Sequence, residues 1–451
     1  MRPLLKHVRA PQAASGWLWA GILVLLIAAC GGLEAPPVTS DTSAHAFISS
    51  VTITDADTRE AIEATYNADV VVWRPEAGFA VLGLHDTSDG VTRLANVDDN
   101  RNVFEIAPAV DPAESSGVST SGVSAWAGGV SAWAGGVSAW AGGVSAWSDG
   151  VDGWSDGTSN PFPGNEDMWA QINLSQAQGV ATKLGDGIVV AVIDTGVDLY
   201  HGGLAGRLTP SSTWLDLIDG NADPHESADV MAMGPYFGHG TAAAGIILQA
   251  APNATIMPIR VLSAEGFGNA TDVAIAIDHA IAHGADVINL SLGTAAPVSA
   301  ITDMVSYAQS LGIVLVASSG NNGTTAVTYP AATAVHADFP LAIGVGSVDS
   351  LDSKSWFSTY GPALEMLAPG ESVGTLFPDG GIAYANGTSF AAPWVSGVAA
   401  LALGEGADPL RTPSLVTSSL FIDDLNPDYF SGMLGQGRLD SLAAVNAMLD
   451  R

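Results

Sequence analysis

The sequence predicts an α/β fold of three layers, α/β/α, in which helices cover both faces of a mostly parallel sheet. Three observations predict it. From residue 160 to residue 451, short apolar runs rich in Val, Ile and Ala alternate with longer segments of helical periodicity. The runs show little alternation of polar and apolar residues, which is typical of strands buried on both faces. Polar motifs containing glycine follow several runs, where the functional groups of such sheets usually lie.

Five runs in this region are predicted as strands of the parallel sheet: Ile188–Ile193, Thr255–Arg260, Asp286–Leu290, Ile313–Ala317 and Leu341–Val345. Helical patterns lie between them. In Thr271–His283, for example, Val273, Ile277 and Ile281 recur on one face at the spacing of an α-helix. The strands and helices together predict one large domain over residues 160–451.

Residues 44–110 predict a smaller α+β domain with the βαββαβ order of a ferredoxin-like fold. Alternating and β-branched segments indicate strands, and the spacing of apolar residues indicates helices. The predicted elements are a strand over Phe47–Thr54, a helix over Asp57–Tyr66, strands over Asp69–Trp73 and Gly78–Leu84, a short helix near 89–97, and a strand over Asn102–Ala107.

The N-terminus has the layout of an export signal. Residues 1–29 begin with basic side chains and continue into an uncharged apolar run that is too short to span a bilayer. The run ends Leu-Ile-Ala-Ala before Cys30, which resembles a bacterial lipobox, and Cys30 is the only cysteine of the chain. We expect a lipoprotein signal peptide over residues 1–29, lipidation of Cys30 and a polar spacer over 30–43. The alternative is a lone thiol without a role.

Residues 111–159 contain a repeat with a period of seven, Val-Ser-Ala-Trp-Ala-Gly-Gly, which begins at Val123 and recurs at Val130 and Val137. A period of seven is also that of a coiled coil, but paired glycines in every repeat disfavour helix. We therefore predict a flexible or loosely extended linker between the two domains.

The chain is strongly acidic, with 46 Asp and Glu residues against 14 Lys and Arg, a formal net charge of −32. Such a charge argues against nucleic acid and anionic lipid surfaces as partners. It favours an exported protein whose acidity keeps it soluble.

Three motifs supply the groups that peptide hydrolysis by a serine nucleophile requires. Asp194 follows a predicted strand in Val-Ile-Asp-Thr-Gly, and His239 lies in Gly-His-Gly-Thr just before an Ala-rich helical segment. Ser389 lies in Gly-Thr-Ser-Phe-Ala-Ala-Pro and opens another helical segment, where free backbone amides can stabilise an oxyanion. Asn321, in Ser-Ser-Gly-Asn-Asn-Gly after a predicted strand, is a candidate second donor to that oxyanion.

These motifs resemble those of the subtilisin-like serine peptidases, the subtilases, in the family order of Asp, then His, then Ser. The resemblance covers residues 160–451 and implies a subtilisin-like fold, peptide substrates and no cofactor for the chemistry. It implies that Asp194 orients the imidazole of His239, that His239 acts as general base and then acid, and that Ser389 attacks the carbonyl. Asn321 and the Ser389 amide would bind the oxyanion.

The same resemblance assigns substrate contacts. Ser291, Leu292 and Gly293 would pair with an extended peptide, and Ser319 and Gly320 would line the pocket for the residue before the scissile bond. Neither segment carries a charge, which predicts a broad or apolar preference. The alternative is that both are ordinary loops.

The sequence assigns no metal ligand to the catalytic site. An acidic loop with Asp216, Asp219, Asn221 and Asp223 resembles a loop that holds structural calcium in some subtilases. A solvated acidic surface loop would explain these residues equally well.

Residues 44–110 resemble the inhibitory, folding-assisting propeptides of the same family; the alternative is a small β-rich binding module. As a propeptide, the segment would be an intramolecular inhibitor, and cleavage is expected between Val110 and Asn165. The lipid on Cys30 would then anchor the precursor to the cell envelope, and cleavage would release the mature enzyme.

Three functions are compatible with these features: a broad extracellular endopeptidase, a processing protease with few substrates, and an inactive surface lipoprotein that binds peptides. The intact set of catalytic residues argues against the third.

Overall fold

The computed structural model describes residues 45–85, 94, 96–100, 104–106, 162, 164–226, 234 and 236–451. The predicted signal peptide, the spacer with Cys30, the repeat linker and nearly all of the short helix near 89–97 lie outside these residues. Within them, no helix combines the length and the apolar character that crossing a membrane requires.

The strands are named in chain order: β1 (Phe47–Thr52), β2 (Asp69–Arg74), β3 (Phe79–Leu84), β4 (Asp98–Asp99), β5 (Phe104–Glu105), β6 (Val189–Asp194), β7 (Leu215–Asp216), β8 (Thr255–Arg260), β9 (Phe267–Gly268), β10 (Val287–Leu290), β11 (Val314–Ser318), β12 (Ala342–Val348), β13 (Met366–Pro369), β14 (Val373–Phe377) and β15 (Gly381–Ala385).

The α-helices are α1 (Arg59–Tyr66), α2 (Glu166–Gln171), α3 (Leu174–Val180), α4 (His239–Ala250), α5 (Ala270–Ala282), α6 (Ser299–Ser310), α7 (Thr388–Gly404), α8 (Thr412–Thr417) and α9 (Ser441–Met448).

The large domain is built on a seven-stranded sheet in the order β13-β12-β11-β10-β6-β8-β7. Every neighbouring pair in it is parallel. Successive side chains of a strand point to opposite faces, so Val190 and Val192 of β6 pack in the layer with α4 and α7, whereas Ala191 and Ile193 pack in the layer with α5 and α6. The predicted three-layer α/β/α fold is confirmed.

Helix α7 lies at the centre of one layer and is buried along its whole length. Its small and branched apolar residues, Ala, Val and Leu, allow close packing against α4 and the sheet on all sides. Buried on every side, it can hold the residues at its N-terminus in a fixed position.

Residues 45–106 contain a four-stranded antiparallel sheet in the order β2-β3-β1-β4. One face packs on α1 through a small apolar cluster that includes Val51, Ile62 and Leu82. The other face joins the core of the large domain, where Phe79 stacks edge-on against Tyr307 of α6 at a ring separation of 5.9 Å.

The pairing predicted for the last strand of this sheet, Asn102–Ala107, is wrong. The short strand β4 takes the fourth position, and β5 instead pairs antiparallel with β9 of the large domain. The reason is burial: Phe104 is fully buried and Ile106 nearly so, in the large domain's apolar core. A four-stranded sheet with one small cluster could not offer them that much apolar surface.

Candidate active site

Asp194 is the last residue of β6 and its carboxylate is fully buried. Its Oδ1 accepts hydrogen bonds from the backbone N–H of Thr195 at 2.7 Å and from His239 Nδ1 at 2.7 Å. Burial of a charged group is tolerated only where it is paired. The Thr195 N–H and the His239 ring therefore fix this oxygen from two sides, while the hydroxyl of Thr195 donates its proton to Glu226 at 2.7 Å.

His239 is the first residue of α4 and is 1% exposed. Gly238 before it has φ of 89°, a left-handed conformation that glycine adopts without strain. With Nδ1 against Asp194, the other ring nitrogen, Nε2, points away from the carboxylate and has no hydrogen-bond partner among the described residues. The buried imidazole therefore has one nitrogen oriented and one nitrogen available for a proton.

Ser389 is the second residue of α7, and its Oγ donates to the backbone carbonyl of Ser291 at 3.2 Å. The carbonyl of Ser389 itself would normally accept the N–H of residue 393, but that residue is Pro393 and has no N–H. Ser291 Oγ donates to this carbonyl at 2.7 Å instead. Ser291 thus contacts the serine at two points.

Ser291 is held in turn by Asn289, whose Nδ2 donates to Ser291 Oγ at 3.0 Å. Ser396, two turns beyond Ser389 along α7, donates to Asn289 Oδ1 at 2.9 Å. A buried polar network therefore connects the end of β10 with the first turns of α7.

Asn321 follows β11 and faces the start of α7. Its Oδ1 accepts hydrogen bonds from the N–H and Oγ1 of Thr388, at 2.8 and 2.9 Å. This fixes the amide orientation, so that Nδ2 faces the other way; a Cβ on Gly387 would lie 3.4 Å from it. The Nδ2 donor is thus held beside Gly387, the residue that precedes α7.

The predicted substrate segments lie beside the same helix terminus. Ser291 contacts Ser389, and the N–H of Gly320 points to Thr388 Oγ1 at 3.2 Å. Ser319 Oγ donates to the carbonyl of Thr359 at 3.2 Å. Leu292 is buried, and Gly293 lies against Thr328, where a Cβ would approach Oγ1 to 2.6 Å.

A further segment beside the site, residues 266–268, was not predicted. Its strand β9 pairs with β5, and Ile106 N–H donates to the carbonyl of Gly266 at 3.1 Å. Two glycines around Phe267 are the only signal in the sequence, and glycine pairs are too common in turns to indicate a strand.

Glu226 was also missed. It is fully buried, and its carboxylate accepts from Thr195 Oγ1 at 2.7 Å, Gly238 N–H at 2.8 Å and Thr241 Oγ1 at 2.7 Å. Burial raises its pKa to about 7. One carboxylate therefore joins the turn after Asp194 to the start of the helix that carries His239. A single Glu in an irregular acidic loop gives no periodic signal by which it could be found.

The acidic loop predicted as a calcium candidate already contains a cation of the protein. Arg260 Nη1 lies 2.9 Å from Asp216 Oδ2 and 2.7 Å from Asp219 Oδ2. Asp216 Oδ1 accepts two backbone N–H groups, and Asn221 Oδ1 accepts that of Asp223. Calcium needs six or more oxygen ligands, and both Asp216 oxygens, one Asp219 oxygen and the Asn221 amide oxygen are committed to Arg260 or to the backbone. The residues do not fit a calcium ion in this conformation.

Comparison with known proteins places this arrangement in a family. The sequence profile of the Subtilase family matches residues 185–418, which is more than half of the chain. The chain belongs to the subtilase family. Thermitase from Thermoactinomyces vulgaris is 38% identical over 288 residues, covering 61% of this chain and 94% of thermitase. A thermophilic serine proteinase from Bacillus sp. (strain AK1) is 34% identical over 274 residues, covering 58% of this subtilase and 63% of the proteinase.

A crystal structure of a cold adapted subtilisin-like serine proteinase shares 34% sequence identity with this subtilase, with a TM-score of 0.45 and coverage of 52% of this chain and 83% of that one. As a subtilase similar to thermitase over nearly the whole of that enzyme, the protein is a serine endopeptidase, a hydrolase that acts on peptide bonds.

Proposed function

We propose that Asp194, His239 and Ser389 are the catalytic triad of this endopeptidase and that Asn321 completes its oxyanion hole. The observation that carries the proposal is the buried Asp194–His239 pair at 2.7 Å, which leaves His239 Nε2 unpaired among the described residues. Ser389 Oγ instead donates to Ser291 in this structure. In enzymes without substrate the catalytic hydrogen bond is often loose and tightens only in the complex.

In the proposed reaction, Ser389 Oγ attacks the carbonyl carbon of the scissile bond while His239 Nε2 takes its proton. The buried carboxylate of Asp194 stabilises the imidazolium that forms. Negative charge on the carbonyl oxygen is stabilised by Asn321 Nδ2 and the N–H of Ser389 at the N-terminus of α7. His239 then protonates the leaving amine. In the second half of the reaction, water is deprotonated by His239 and attacks the acyl group, and the imidazolium returns the proton to Ser389 Oγ as the acyl group is released.

Substitution separates these roles. Ser389→Ala should lower kcat by several orders of magnitude because the triad members act together. Asn321→Ala should lower kcat by about 10²- to 10³-fold, the usual effect of losing one oxyanion donor. A loss of less than about tenfold for Ser389→Ala would place the nucleophile elsewhere.

The N-terminal sheet is proposed to be the intramolecular inhibitor of the enzyme, a propeptide. The β5–β9 pairing supports this, because an extended segment of the chain itself lies along an edge that a peptide could use. Charged contacts bind the sheet to the large domain as well: Arg74 Nε lies 2.5 Å from Asp278 Oδ1, and both side chains are buried.

Two helices of the large domain depend on this sheet for their N-terminal hydrogen bonds. Asp98 Oδ2 accepts the N–H and Oγ of Ser299 at the start of α6, at 2.8 and 2.7 Å. Asn100 Oδ1 accepts the N–H and Oγ1 of Thr271 at the start of α5, at 2.7 and 2.8 Å. By accepting these N–H groups, Asp98 and Asn100 would favour the formation of α5 and α6 in the large domain. This supports a folding-assisting role for the N-terminal sheet.

We further propose export with lipidation at Cys30, so that the precursor is anchored in the cell envelope and cleavage between Val110 and Asn165 releases the enzyme. Substrates are proposed to be extracellular polypeptides of broad or apolar preference, since Ser291, Leu292, Gly293, Ser319 and Gly320 carry no charge. Hydrolysis of denatured casein tests this breadth; a processing protease would leave casein nearly intact.

A fluorophosphonate probe, followed by mass spectrometry of the labelled peptide and of the new N-terminus, tests the whole proposal. We expect the probe on Ser389 in a species that begins between Val110 and Asn165 and lacks the lipid. Absence of labelling on a folded, processed chain would overturn the triad. An active, shortened species that still carries the lipid would overturn release by maturation.

A further inference from the structure

Three side chains with metal-binding groups meet on the N-terminal sheet, outside the catalytic site. They are His45, just before β1; Asp69, the first residue of β2; and His85, just after β3. One ligand atom of each lies within 4.8 Å of the other two. Among the described residues, no other group of three or more His, Cys, Asp or Glu side chains meets this distance criterion.

The backbone explains why the three residues converge. Asp69 of β2 lies opposite Gly83 of β3, and the N–H of Ala46 donates to the carbonyl of Leu84 at 2.8 Å. The three segments therefore end at one corner of the sheet. Gly83 leaves room for the ring of His45, since a Cβ there would lie 2.3 Å from His45 Nδ1.

The distances are close to those of a tetrahedral site. His45 Nε2 lies 2.8 Å and His85 Nε2 3.4 Å from the same carboxylate oxygen, Asp69 Oδ2. Zinc bonds of about 2.0–2.1 Å to nitrogen and oxygen in tetrahedral geometry place the ligand atoms about 3.3 Å apart. The longer contact needs no change, and the shorter one must open by about half an ångström.

A hydrogen-bonded cluster accounts for these residues less completely. The contact from His85 is longer than an ordinary N–H···O hydrogen bond. The side chain of His45 is fully buried and its Nδ1 has no partner among the described residues, so Nε2, which faces Asp69, is the nitrogen that can bind an ion. Asp69 and His85 remain 51% and 44% exposed, which leaves a path from solvent to the cluster.

We propose that His45, Asp69 and His85 form a binding site for a divalent transition-metal ion, with zinc as the ion that fits their chemistry best. Two imidazoles and one carboxylate supply three ligands, and water completes the coordination from the exposed side. The site joins the segment before β1 to the strands β2 and β3, so the bound ion stabilises the folded N-terminal sheet.

The consequence for regulation rests on the proposed function of the sheet as propeptide. Gly83 lies two residues from Val81, and side chains two residues apart in a strand share a face. Val81 packs in the core of the large domain. Only the folded sheet presents this face to the large domain, so an ion that stabilises the folded sheet would also favour the docked form of the propeptide. Removal of the ion would favour release.

The binding test uses the full-length chain with Ser389→Ala, purified without a histidine tag and freed of metal with a chelator. Zn²⁺ is titrated calorimetrically and Co²⁺ by its visible absorption. We expect one ion per chain, with the spectrum of a four- or five-coordinate Co²⁺. His85→Gln and Asp69→Asn should each weaken binding by at least about 100-fold, since even changes outside the ligand shell cost about 10- to 100-fold.

His336→Gln is the matched control, because His336 is an exposed histidine of the large domain, and it should leave the affinity unchanged. The thermal transition of each metal-free variant shows whether it folds. Lack of uptake by the parent chain, or equal affinity in parent, H85Q and D69N, would overturn the site. Metal uptake is measured without an activity assay, on a chain whose mass shows that residues 45–85 are still present, so the outcome does not depend on whether the triad or the propeptide assignment is correct.

Discussion

Ser291 has a role at the residue scale that its assignment to substrate binding does not include. Because Pro393 removes the helical N–H, the buried carbonyl of Ser389 depends on Ser291 Oγ for its hydrogen bond. The side chain therefore positions Ser389, the proposed nucleophile.

Replacing Ser291 with Ala should lower kcat about tenfold to 100-fold with little change in KM, because small misplacement of a nucleophile is costly. It should also destabilise the enzyme by about 1–3 kcal/mol through the unsatisfied carbonyl. Adding Pro393→Ala restores a helical N–H at the right position, so the double variant should recover part of both losses. Ser347→Ala, which removes a buried serine hydroxyl paired with Ser355 outside this network, is the control; a double variant no better than S291A would contradict this role.

Glu226 leads to a prediction on pH. Burial raises its pKa to about 7 from an ordinary value of 4.5, so the folded state holds a proton that the unfolded state has lost in this range. Stability is therefore largest below about pH 4.5 for this group and falls as pH rises toward 7. Glu365, which is half-buried and whose pKa is raised by burial to about 7, acts in the same direction.

Glu226→Gln and Glu365→Gln should each reduce the slope of unfolding free energy against pH between about 4.5 and 7. Only Glu226→Gln should also lower kcat, by about tenfold, because its amide cannot replace all the acceptors that fix Thr195 and Gly238. Denaturant titrations at several pH values and steady-state kinetics measure the two effects. Equal kcat values for both variants would show that Glu226 does not position the triad.

At the scale of elements, the sequence determined the buried strands well. Thr255–Arg260 coincides with β8, and the other four predicted strands of the sheet lie within three residues of their observed ends. Continuous apolar runs have one stable environment, between two helical layers, which makes them recognisable. The short strands β7 and β9 and the hairpin of β14 and β15 were not predicted. Their strand conformation depends on pairing with other segments and not on a local apolar pattern.

The residues of the candidate site divide in the same way, into those that a local sequence pattern locates and those that depend on distant contacts. Asp194, His239, Ser389 and Asn321 follow strands or begin helices, so local pattern locates them and the parallel sheet brings their ends together. Asp216 and Asp219 look alike in sequence whether they bind a calcium ion or Arg260, and Arg260 lies far from them in the chain. Pairing between distant residues has no signal in a single sequence.

Asn100 accepts hydrogen bonds from Thr271 in the first turn of α5, beside the helix's own cap Asn269, and this contact should matter for the precursor. Asn100→Ala should destabilise the unprocessed Ser389→Ala chain by about 1 kcal/mol, the usual cost of losing an N-terminal cap. Asn96→Ala is a suitable control, because Asn96 is an exposed residue of the same segment. Unfolding in denaturant measures both variants; an equal effect of the two would show that the capping contact contributes nothing.

At the scale of the whole molecule, the interface between the N-terminal sheet and the large domain contains a buried ion pair, which the proposed maturation would have to break. Arg74 and Asp278 are each at least 94% buried, and burial raises the pKa of Asp278 despite the opposing effect of the guanidinium. Breaking a buried pair by removing one partner leaves an uncompensated charge, which costs about 3–5 kcal/mol. Once the propeptide leaves, Asp278 regains water and carries no such cost.

Arg74→Met should therefore lower the stability of the unprocessed Ser389→Ala chain by about 3 kcal/mol and, in the active background, speed the appearance of mature enzyme. The mature species lacks residue 74, so its stability and kcat should match those from the parent. Arg59→Met removes a more exposed pair with Glu63 in the same sheet unit and should have a much smaller effect. Because an acidic medium protonates Asp278, the penalty of Arg74→Met should shrink as pH falls; a penalty independent of pH would mean that lost packing, and not the unpaired carboxylate, destabilises the variant.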